Sequence, residues 1–348
     1  MTAGPSESAS PATRSALRSR RTYRLTVLCV LALLCVAAFF VSVALGTLKL
    51  TAADVWGVLL GGGDPGGVRH QIIWNIRLPR TLVAALVGMC LSLSGCLLQG
   101  VMRNPLAAPH LIGVSAGAGL AGVIILIVFP DITYLLTPVT FVGALVTTVL
   151  IYLLAWQQGL KPVRLILAGV AVSSFLGAWI TALMLFFPDR VHSVLGFMVG
   201  GLAARTWRHL WIMLPYAAGG FVLVLGCAGR LNLLMLGDEM AQSLGIHVER
   251  TRLVLIALAA LLAASAVSVA GLLGFVGLMV PHMTRMIIGS DHRYLIPGCA
   301  LTGAALLMAC DTVARVALDP VEVPVGVIMA LLGAPFFLYL LRTDFQRR

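Results

Sequence analysis

Ser115 stands in a short pattern that could supply a nucleophile. The stretch Gly113–Gly117 reads GVSAG and matches G-x-S-x-G, the pattern around the reactive serine of many hydrolases. That chemistry needs a sharp strand-to-helix turn and a histidine base, and no strand pattern surrounds these residues. His282, in VPHMTR, is the only plausible base on another apolar segment, and nothing in the sequence orients it toward Ser115. An intramembrane hydrolase is therefore the third-ranked hypothesis, and we expect no catalytic residue.

Small and polar residues recur at helical spacing in two neighbouring segments. Gly113 and Gly117 are four positions apart, as are Ser115 and Gly119, and such pairs allow helices to approach closely. The preceding segment repeats the spacing along one face, with steps of four, three and four residues through Gly88, Ser92, Gly95 and Gln99. Close packing is the simpler interpretation, and a wall touched by a bulky polar cargo is the alternative. We therefore predict that this stripe either lines a pathway or allows close helix packing. Its members are Gly88, Ser92, Gly95, Gln99, Ser115 and Gly117.

Three arginines lie where an extracytoplasmic surface is expected. Arg77 and Arg80, in RLPR, begin an apolar segment, and Arg315 lies near the end of another. Arginines at helix ends commonly extend into the lipid headgroups. Three guanidinium groups on one surface would also bind the carboxylates of a docking protein. Asp311 and Arg315 are four positions apart on one predicted helix, a spacing at which they can neutralise each other.

The motif GDEMAQSLG predicts a two-turn helix in the longest inner loop, residues 230–252. Asp238 suits the N-cap or the first turn, where an acid is favourable, and Gly245 suits the end. Such a helix is either a simple connector or a contact surface for a soluble partner.

The composition shows what these elements are embedded in. The 348 residues are 60% hydrophobic and 11% charged, with a mean hydropathy of +1.01, whereas soluble domains carry roughly 25% charged residues. The chain is therefore predicted to be an all-α, polytopic membrane protein. The net charge of +11 is spread as arginines between apolar runs, which favours topology-setting charge over nucleic-acid binding. The seven cysteines and seven histidines form no C-x-x-C or H-E-x-x-H motif, so we expect no metal site.

About ten spans are predicted because each crossing needs roughly 20 apolar residues. We place them near residues 25–48, 79–101, 111–130, 135–156, 163–187, 209–229, 253–273, 274–289, 295–316 and 323–341. Residues 1–24 are predicted to be a disordered cytoplasmic tail, and 25–345 a ten-helix transmembrane domain with 230–252 as its longest cytoplasmic loop. With both termini in the cytoplasm, sixteen Lys and Arg residues lie inside and eight outside, which agrees with the positive-inside rule.

Several long motifs make the chain resemble the FecCD-type permeases, which import iron–siderophore complexes, haem or vitamin B12. RLPRTLVAALVGMCLSLSGCLLQGVMRNPLAAPHLIGVSAGAG resembles that family's second and third spans, and LGDEMAQSLGI its coupling segment. GFVGLMVPHMTRMIIGSDHR and DTVARVALDPVEVPVGVIMALLGAPFFLYLL resemble its last three spans. The likeness covers nearly everything after about residue 25.

The resemblance implies a vitamin B12 importer permease-like fold and a set of partners. These are a second permease subunit in a homo- or heterodimer, two cytosolic P-loop ATPase subunits and an extracytoplasmic substrate-binding protein. The coupling contacts would be those matching the family motif: Gly237, Asp238, Glu239, Ala241, Leu244 and Gly245. The arginines that meet acidic residues of the binding protein would be Arg77, Arg80 and Arg315.

The expected function is that of the transport subunit of an ATP-driven importer, with ferric siderophores as the expected cargo, working by alternating access in the cell membrane. The chain lacks G-x-x-x-x-G-K-[ST], so we expect no cofactor of its own and ATP on the partner subunit. Haem or vitamin B12 as cargo, or an ATPase-independent secondary carrier, are the alternatives. The outer loop VLGFMVGGLAARTW and Cys310 depart from the family pattern.

Overall fold

The computed structural model describes residues 11–46, 51–61, 67–157, 159, 162–318 and 321–345. Regular structure in these residues is helical. In chain order the helices are α1 (Pro11–Ala44), α2 (Ala52–Leu59), α3 (Val68–Gln71), α4 (Leu78–Met102), α5 (Val114–Val123), α6 (Leu136–Ala155), α7 (Pro162–Phe186), α8 (Val191–Val199), α9 (Trp207–Leu234), α10 (Asp238–Ser243), α11 (Val248–Ala270), α12 (Val276–Ile288), α13 (His292–Val316) and α14 (Val325–Phe345). The all-α prediction is confirmed.

By length and composition, seven helices within the described ranges can cross a membrane. They are Ser19–Ala44, Val68–Met102, Pro130–Ala155, Pro162–Phe186, Trp207–Leu234, Val248–Ala270 and His292–Val316. Three further apolar helices, Val114–Val128, Val276–Ile288 and Val325–Leu340, are shorter than a full crossing. Each predicted span overlaps one of these ten segments, but the count of ten crossings is not established because three of them are short.

The amino-terminal region differs from the prediction of a disordered tail over residues 1–24. Helix α1 begins at Pro11 and continues without a break through the first apolar run. Pro suits the first turn of a helix, and the Ala, Leu and Arg residues that follow are good helix formers. The correction applies to residues 11–24, and residues 1–10 lie outside the described part of the chain.

Helix α4 forms the centre of the fold. Helices α9, α11, α12 and α13 pack around it, while α5, α6 and α7 form an adjoining group. Nearly all residues of α4 from Leu91 to Met102 are buried, including the polar Ser92, Ser94 and Gln99. Because neighbouring helices cover α4 on all sides, they hold it in one position.

The stretch predicted to hold two spans, 253–289, is indeed broken into α11 and α12. Gly271, with a φ of 75°, ends α11, and Phe275 adopts a left-handed conformation with a φ of 64° before α12 begins. The backbone groups freed by the break bond to other segments: Leu272 N–H donates to Phe197 O at 3.0 Å, and Gly201 N–H donates to Ala270 O at 2.8 Å. Gly326 N–H, at the start of α14, donates to Gly200 O at 3.1 Å. Irregular backbone at this depth is tolerated because protein groups satisfy it.

Candidate functional site

The serine pattern forms a helix start and not a nucleophile elbow. Gly113 has a φ of 76° and caps α5, so Ser115 lies in the first helical turn. Ser115 borders a cavity of about 240 Å³ that Leu91, His110 and Phe275 also line. His282 is not part of that lining within the described residues, and its ring lies 6.1 Å from the ring of Phe336. The Ser115–His282 pair that a hydrolase would require is therefore not assembled.

The α4 part of the stripe packs against α12 and α13. A Cβ atom at Gly88 would collide with the backbone oxygen of Gly303, and one at Gly95 with that of Gly277. Ser92 Oγ donates to the carbonyl oxygen of Cys299 at 2.8 Å. Gln99 Nε2 donates to the carbonyl oxygen of Leu278, on α12, at 3.1 Å. These four residues are buried within the chain, and their contacts are those of close helix packing.

Gly117 and Ser115 differ although they share α5. Gly117 is buried, and a Cβ atom there would collide with Thr147 and with the backbone of Gly143 on α6. Ser115 is only partly buried and borders the cavity beside the α11–α12 break. Of the six stripe residues, Ser115 is the one whose position suits a pathway wall.

Arg80 is the centre of a buried ion-pair network at the end of α4 that is remote from α10. Its Nε lies 3.0 Å from Asp311 Oδ2 and its Nη2 lies 3.0 Å from Asp311 Oδ1, a bidentate contact with α13. Its Nη1 donates to Glu322 Oε2 at 2.8 Å, just before α14. One guanidinium thus joins three segments that are far apart in the sequence.

Arg315 and Arg77 bind the end of α1. Arg315 Nη2 donates to the carbonyl oxygen and to the hydroxyl of Ser42, each at 2.9 Å, and its Nε lies 3.2 Å from Asp311 Oδ2. Arg77 Nη1 donates to the carbonyl oxygens of Val43 and Ala44 at 3.0 and 2.6 Å. The expected neutralisation between Asp311 and Arg315 is therefore present, and Asp311 also serves Arg80.

The docking prediction for these arginines required an accessible surface, and the structure differs from that expectation. Arg77, Arg80 and Arg315 are only 4%, 7% and 5% exposed. Their donors bind the chain itself because Asp311, Glu322 and the end of α1 converge on them. Sequence reasoning identified Asp311 as a local partner of Arg315 but missed its bond to Arg80, which lies 231 positions away. A docking role for the three arginines stays a prediction.

The coupling segment forms the predicted two-turn helix. Gly237, with a φ of 108°, precedes α10, Asp238 and Glu239 occupy its first turn, and Gly245, with a φ of 82°, follows its end. Asp238 lies in the first turn and Gly237 at the N-cap, which decides between the two positions expected for the acid. Ala241, on the inward face of α10, is fully buried.

Asp238 ties α10 to two central helices. Its carboxylate lies 2.8 Å from Arg252 Nη2 on α11 and 3.3 Å from Arg103 Nη2 at the end of α4. Arg252 is buried, whereas Arg103 has a left-handed backbone, with a φ of 48°, in the turn after α4. Neither arginine was predicted from the sequence, since each lies beyond the motif that marks the helix.

Around this anchored helix the surface is apolar. Leu236, Met240 and Leu244 are all more than half exposed, and Glu239 is exposed beside them. Isolated apolar side chains on a surface are ordinary, but a group of long ones on and beside a short, ion-paired helix is typical of a protein contact. The structure therefore brings together the six predicted coupling residues, with Ala241 facing inward and the others at or near the surface.

A second polar group joins the helices at the same end as α10. Asp291, the N-cap of α13, accepts from Asn232 Nδ2 at 2.8 Å and forms an ion pair with Arg24 at 3.1 Å. Burial opposes ionisation of this carboxyl group, but the hydrogen bonds from Asn232 and from the Arg293 N–H, with the charge of Arg24, lower its pKa. The group holds α1, α9 and α13 in register.

The FecCD transport family matches residues 33–343 of the chain. The chain belongs to this family. Its relatives include the Fe(3+)-citrate import system permease protein YfmE of Bacillus subtilis, which is 37% identical over 93% of this chain and 97% of its own length. The hemin transport system permease protein HmuU of Yersinia pestis is 39% identical, over 88% and 92% of the two chains.

Two further comparisons agree in sequence and in fold. The cobalamin import system permease protein BtuC of Halobacterium salinarum is 43% identical over 78% of this chain and 73% of its own length. A solved structure of a metal-chelate type ABC transporter in an inward-facing conformation matches 91% of this chain and 99% of its own, with 32% identity and a TM-score of 0.82. The chain is a multi-pass membrane permease of an ABC importer for cargo of the iron-chelate, haem or vitamin B12 type.

Proposed function

We propose that this permease imports ferric siderophore complexes across the cell membrane by alternating access, driven by ATP hydrolysis on two cytosolic partner subunits. A second permease subunit, identical or related, would complete the pathway, and an extracytoplasmic binding protein would deliver the cargo. Four of the relatives compared are named for ferric citrate or ferric hydroxamate, one for hemin and one for cobalamin, and this majority supports an iron chelate as the cargo.

Helix α10 is the observation that carries this proposal. Exposed Met240 on the helix, with exposed Leu236 and Leu244 flanking it, forms an apolar surface, and Asp238 ion-pairs the start of the helix to the core. A short helix that merely connected α9 to α11 would need neither feature. An ATPase subunit that binds the exposed side chains would move the helix, and Asp238 would pass that displacement to Arg252 on α11 and Arg103 beyond α4.

The α11–α12 break is the segment that we assign to the cargo pathway. Its backbone bonds to α8 and to the loop that follows α8, it lies beside the start of α14, and cavities of about 240 and 470 Å³ border it. Since α11 also receives the Asp238 contact near its other end, a shift of this helix would reach the break directly. The pathway would open and close at this break as it changes from facing one side of the membrane to facing the other.

Docking of the binding protein would act on Arg80. Glu322 holds one face of that guanidinium and has a side chain that is 41% exposed, whereas Asp311 is fully buried. An incoming carboxylate would therefore exchange with Glu322 and leave the Asp311 contact in place. Arg77 and Arg315 would support this exchange by fixing the end of α1 beside Arg80.

Co-purification tests the ATPase assignment. The tagged protein is isolated from native membranes in mild detergent, and the eluate is assayed for ATP hydrolysis. We expect a P-loop subunit to co-purify, and Met240→Glu to abolish its retention because a charge replaces an exposed apolar contact. Leu60→Glu is the matched control, since Leu60 is also exposed but lies after α2, remote from α10.

An ATPase-independent secondary carrier is the competing function. It would purify without a P-loop subunit, and Met240→Glu would not affect its uptake. Either result, combined with solute movement driven by an ion gradient, would contradict the coupling role of α10.

A further inference from the structure

A large cavity shares no lining residue with the packing stripe, with the group of Arg77, Arg80 and Arg315, or with α10. It has a volume of about 630 Å³ and opens between the beginnings of α6 and α9, with Ser265 and Ser268 of α11 lining it from the core side. Because α10 follows the other end of α9, the cavity lies at the end of the fold opposite α10. The transport proposal gives it no role.

The charge of the cavity is positive and uncompensated. Arg205 and Arg208 line it together with His209, and none of its lining residues is acidic. Among the described residues the ion pairs include neither arginine, and Arg205 Nε is buried without a hydrogen-bond partner. Burial lowers the pKa of Arg205, and the positive charge of Arg80 lowers it further. A guanidinium held in this way is suited to an external anion.

The rest of the lining is apolar and aromatic. Phe141 and Tyr216 pack with their ring centroids 5.0 Å apart, and Tyr134, Ile212 and Val142 extend the wall. Val142 and Ile212 are exposed on the outer faces of α6 and α9, and exposed Val146 and Trp211 continue those faces. In a multi-pass membrane protein such faces contact lipid chains or another apolar helix, and Trp and Tyr near a helix start are typical of the headgroup level.

We propose that this cavity binds the phosphate of an acidic phospholipid, with Arg205 and Arg208 at the phosphate and the acyl chains along the groove between α6 and α9. The combination of two unpaired cations with an apolar opening matches an amphiphilic anion. Tyr134 and Tyr216 also line the cavity and supply side chains that can donate hydrogen bonds to a phosphate. A free phosphate would use the cations but leave the aromatic wall unoccupied.

Lipid retention measures this binding. The protein is reconstituted in nanodiscs containing equal amounts of phosphatidylglycerol and phosphatidylcholine, released into detergent, and weighed with its bound lipid by native mass spectrometry. We expect wild type to retain phosphatidylglycerol in preference to phosphatidylcholine. In Arg205→Gln/Arg208→Gln this preference should fall about tenfold, because the charge-assisted hydrogen bonds to the phosphate are removed.

Control variants distinguish lipid binding at this cavity from a general effect of the protein's positive charge. Arg230→Gln removes an exposed arginine near the other end of α9, and it should retain the wild-type preference. The single variant Arg208→Gln changes an exposed side chain and gives a test if the double variant does not fold. An equal loss in Arg230→Gln and Arg208→Gln would overturn the proposal.

Two soluble probes distinguish other anions. Inorganic phosphate and glycerol phosphate should not displace the retained phosphatidylglycerol. Displacement by either at millimolar concentration would assign the cavity to a free anion, and displacement by a ferric siderophore would assign it to cargo. Both results would contradict the lipid assignment, and neither depends on whether α10 binds an ATPase.

Discussion

The two ends of the permease hold charges in opposite ways. At the α4 end remote from α10, Arg77, Arg80 and Arg315 are buried, and Asp311 between them is fully enclosed. At the α10 end, the side chains of Asp238 and Arg103 are each about 40% exposed, and only Arg252 is buried. The first arrangement fixes helix positions, because a buried ion pair is costly to break. The second holds a small helix that can still shift, because exposed pairs contribute little each.

The comparison is tested most strongly at Asp311. Asp311→Asn removes the buried charge that Arg80 and Arg315 share, so we expect the free energy of unfolding to fall by about 3–5 kcal/mol. The measurement is denaturant unfolding in mixed micelles. Glu322→Gln, which changes the partly exposed partner of Arg80, should have a much smaller effect. Equal losses in the two variants would show that the end remote from α10 is not held by Asp311.

The packing seam of α4 gives the next effect in size. Gly88→Val would force the backbone of Gly303 away, and overpacking of this kind costs about 1–3 kcal/mol. Gly226→Val on α9 is the matched control, since a Cβ atom there meets nothing within 4 Å. Thermal unfolding in detergent should separate the two variants. A similar unfolding midpoint for both variants would show that Gly88 is not closely packed against Gly303.

At α10 we expect a functional loss with a smaller change in stability than at Asp311. Asp238→Asn weakens an exposed pair with Arg103 and a pair with buried Arg252, but Arg252 keeps the carboxylate of Glu249 at 3.5 Å. Transport should fall severalfold while the ATPase becomes insensitive to cargo, because the helix no longer pulls on Arg252. Asp131→Asn changes an exposed acid just before α6, at the other end of the fold, and should retain coupled transport. A loss of stability as large as that of Asp311→Asn would remove the contrast between the two ends.

The smallest effect is the pH dependence due to Asp291. Its pKa is lower in the folded protein than the usual value of about 3.9, so its ionised form stabilises the fold above that pH. This contribution is lost as the pH falls through the folded pKa. The unfolding midpoint of wild type should therefore decrease more steeply below about pH 4 than that of Asp291→Asn. If the unfolding midpoints of wild type and Asp291→Asn fall in parallel as the pH is lowered, the contacts of Asp291 with Arg24 and Asn232 do not stabilise the fold.

Local patterns in the sequence predict local structure well here. Apolar runs place most helical segments to within about five residues, but α1 begins at Pro11 and the second span at Val68, each more than ten residues before its predicted start. The motif around Asp238 predicts α10 because its capping glycine, acids and stop lie within one short window. The stripe on α4 was predicted as a packing face, but its partners were not, since Gly88 meets Gly303 far along the chain.

Contacts between distant segments could not be predicted in the same way. Arg80 and Arg315 carry no local sign that Asp311, Glu322 and Ser42 converge on them, so their burial was missed. The cavity at Arg205 and Arg208 was missed for a related reason: it is formed by α6, α9 and α11 together, and no single segment contains a motif.

Uptake by proteoliposomes tests the central claim most directly. The permease and its co-purified ATPase are reconstituted together, and entry of a radiolabelled ferric siderophore is followed with the binding protein present. We predict uptake that requires ATP, is indifferent to an imposed proton gradient and is lost in Met240→Glu. Uptake that follows the ion gradient without ATP would contradict the assignment of α10 as the contact through which this permease is driven.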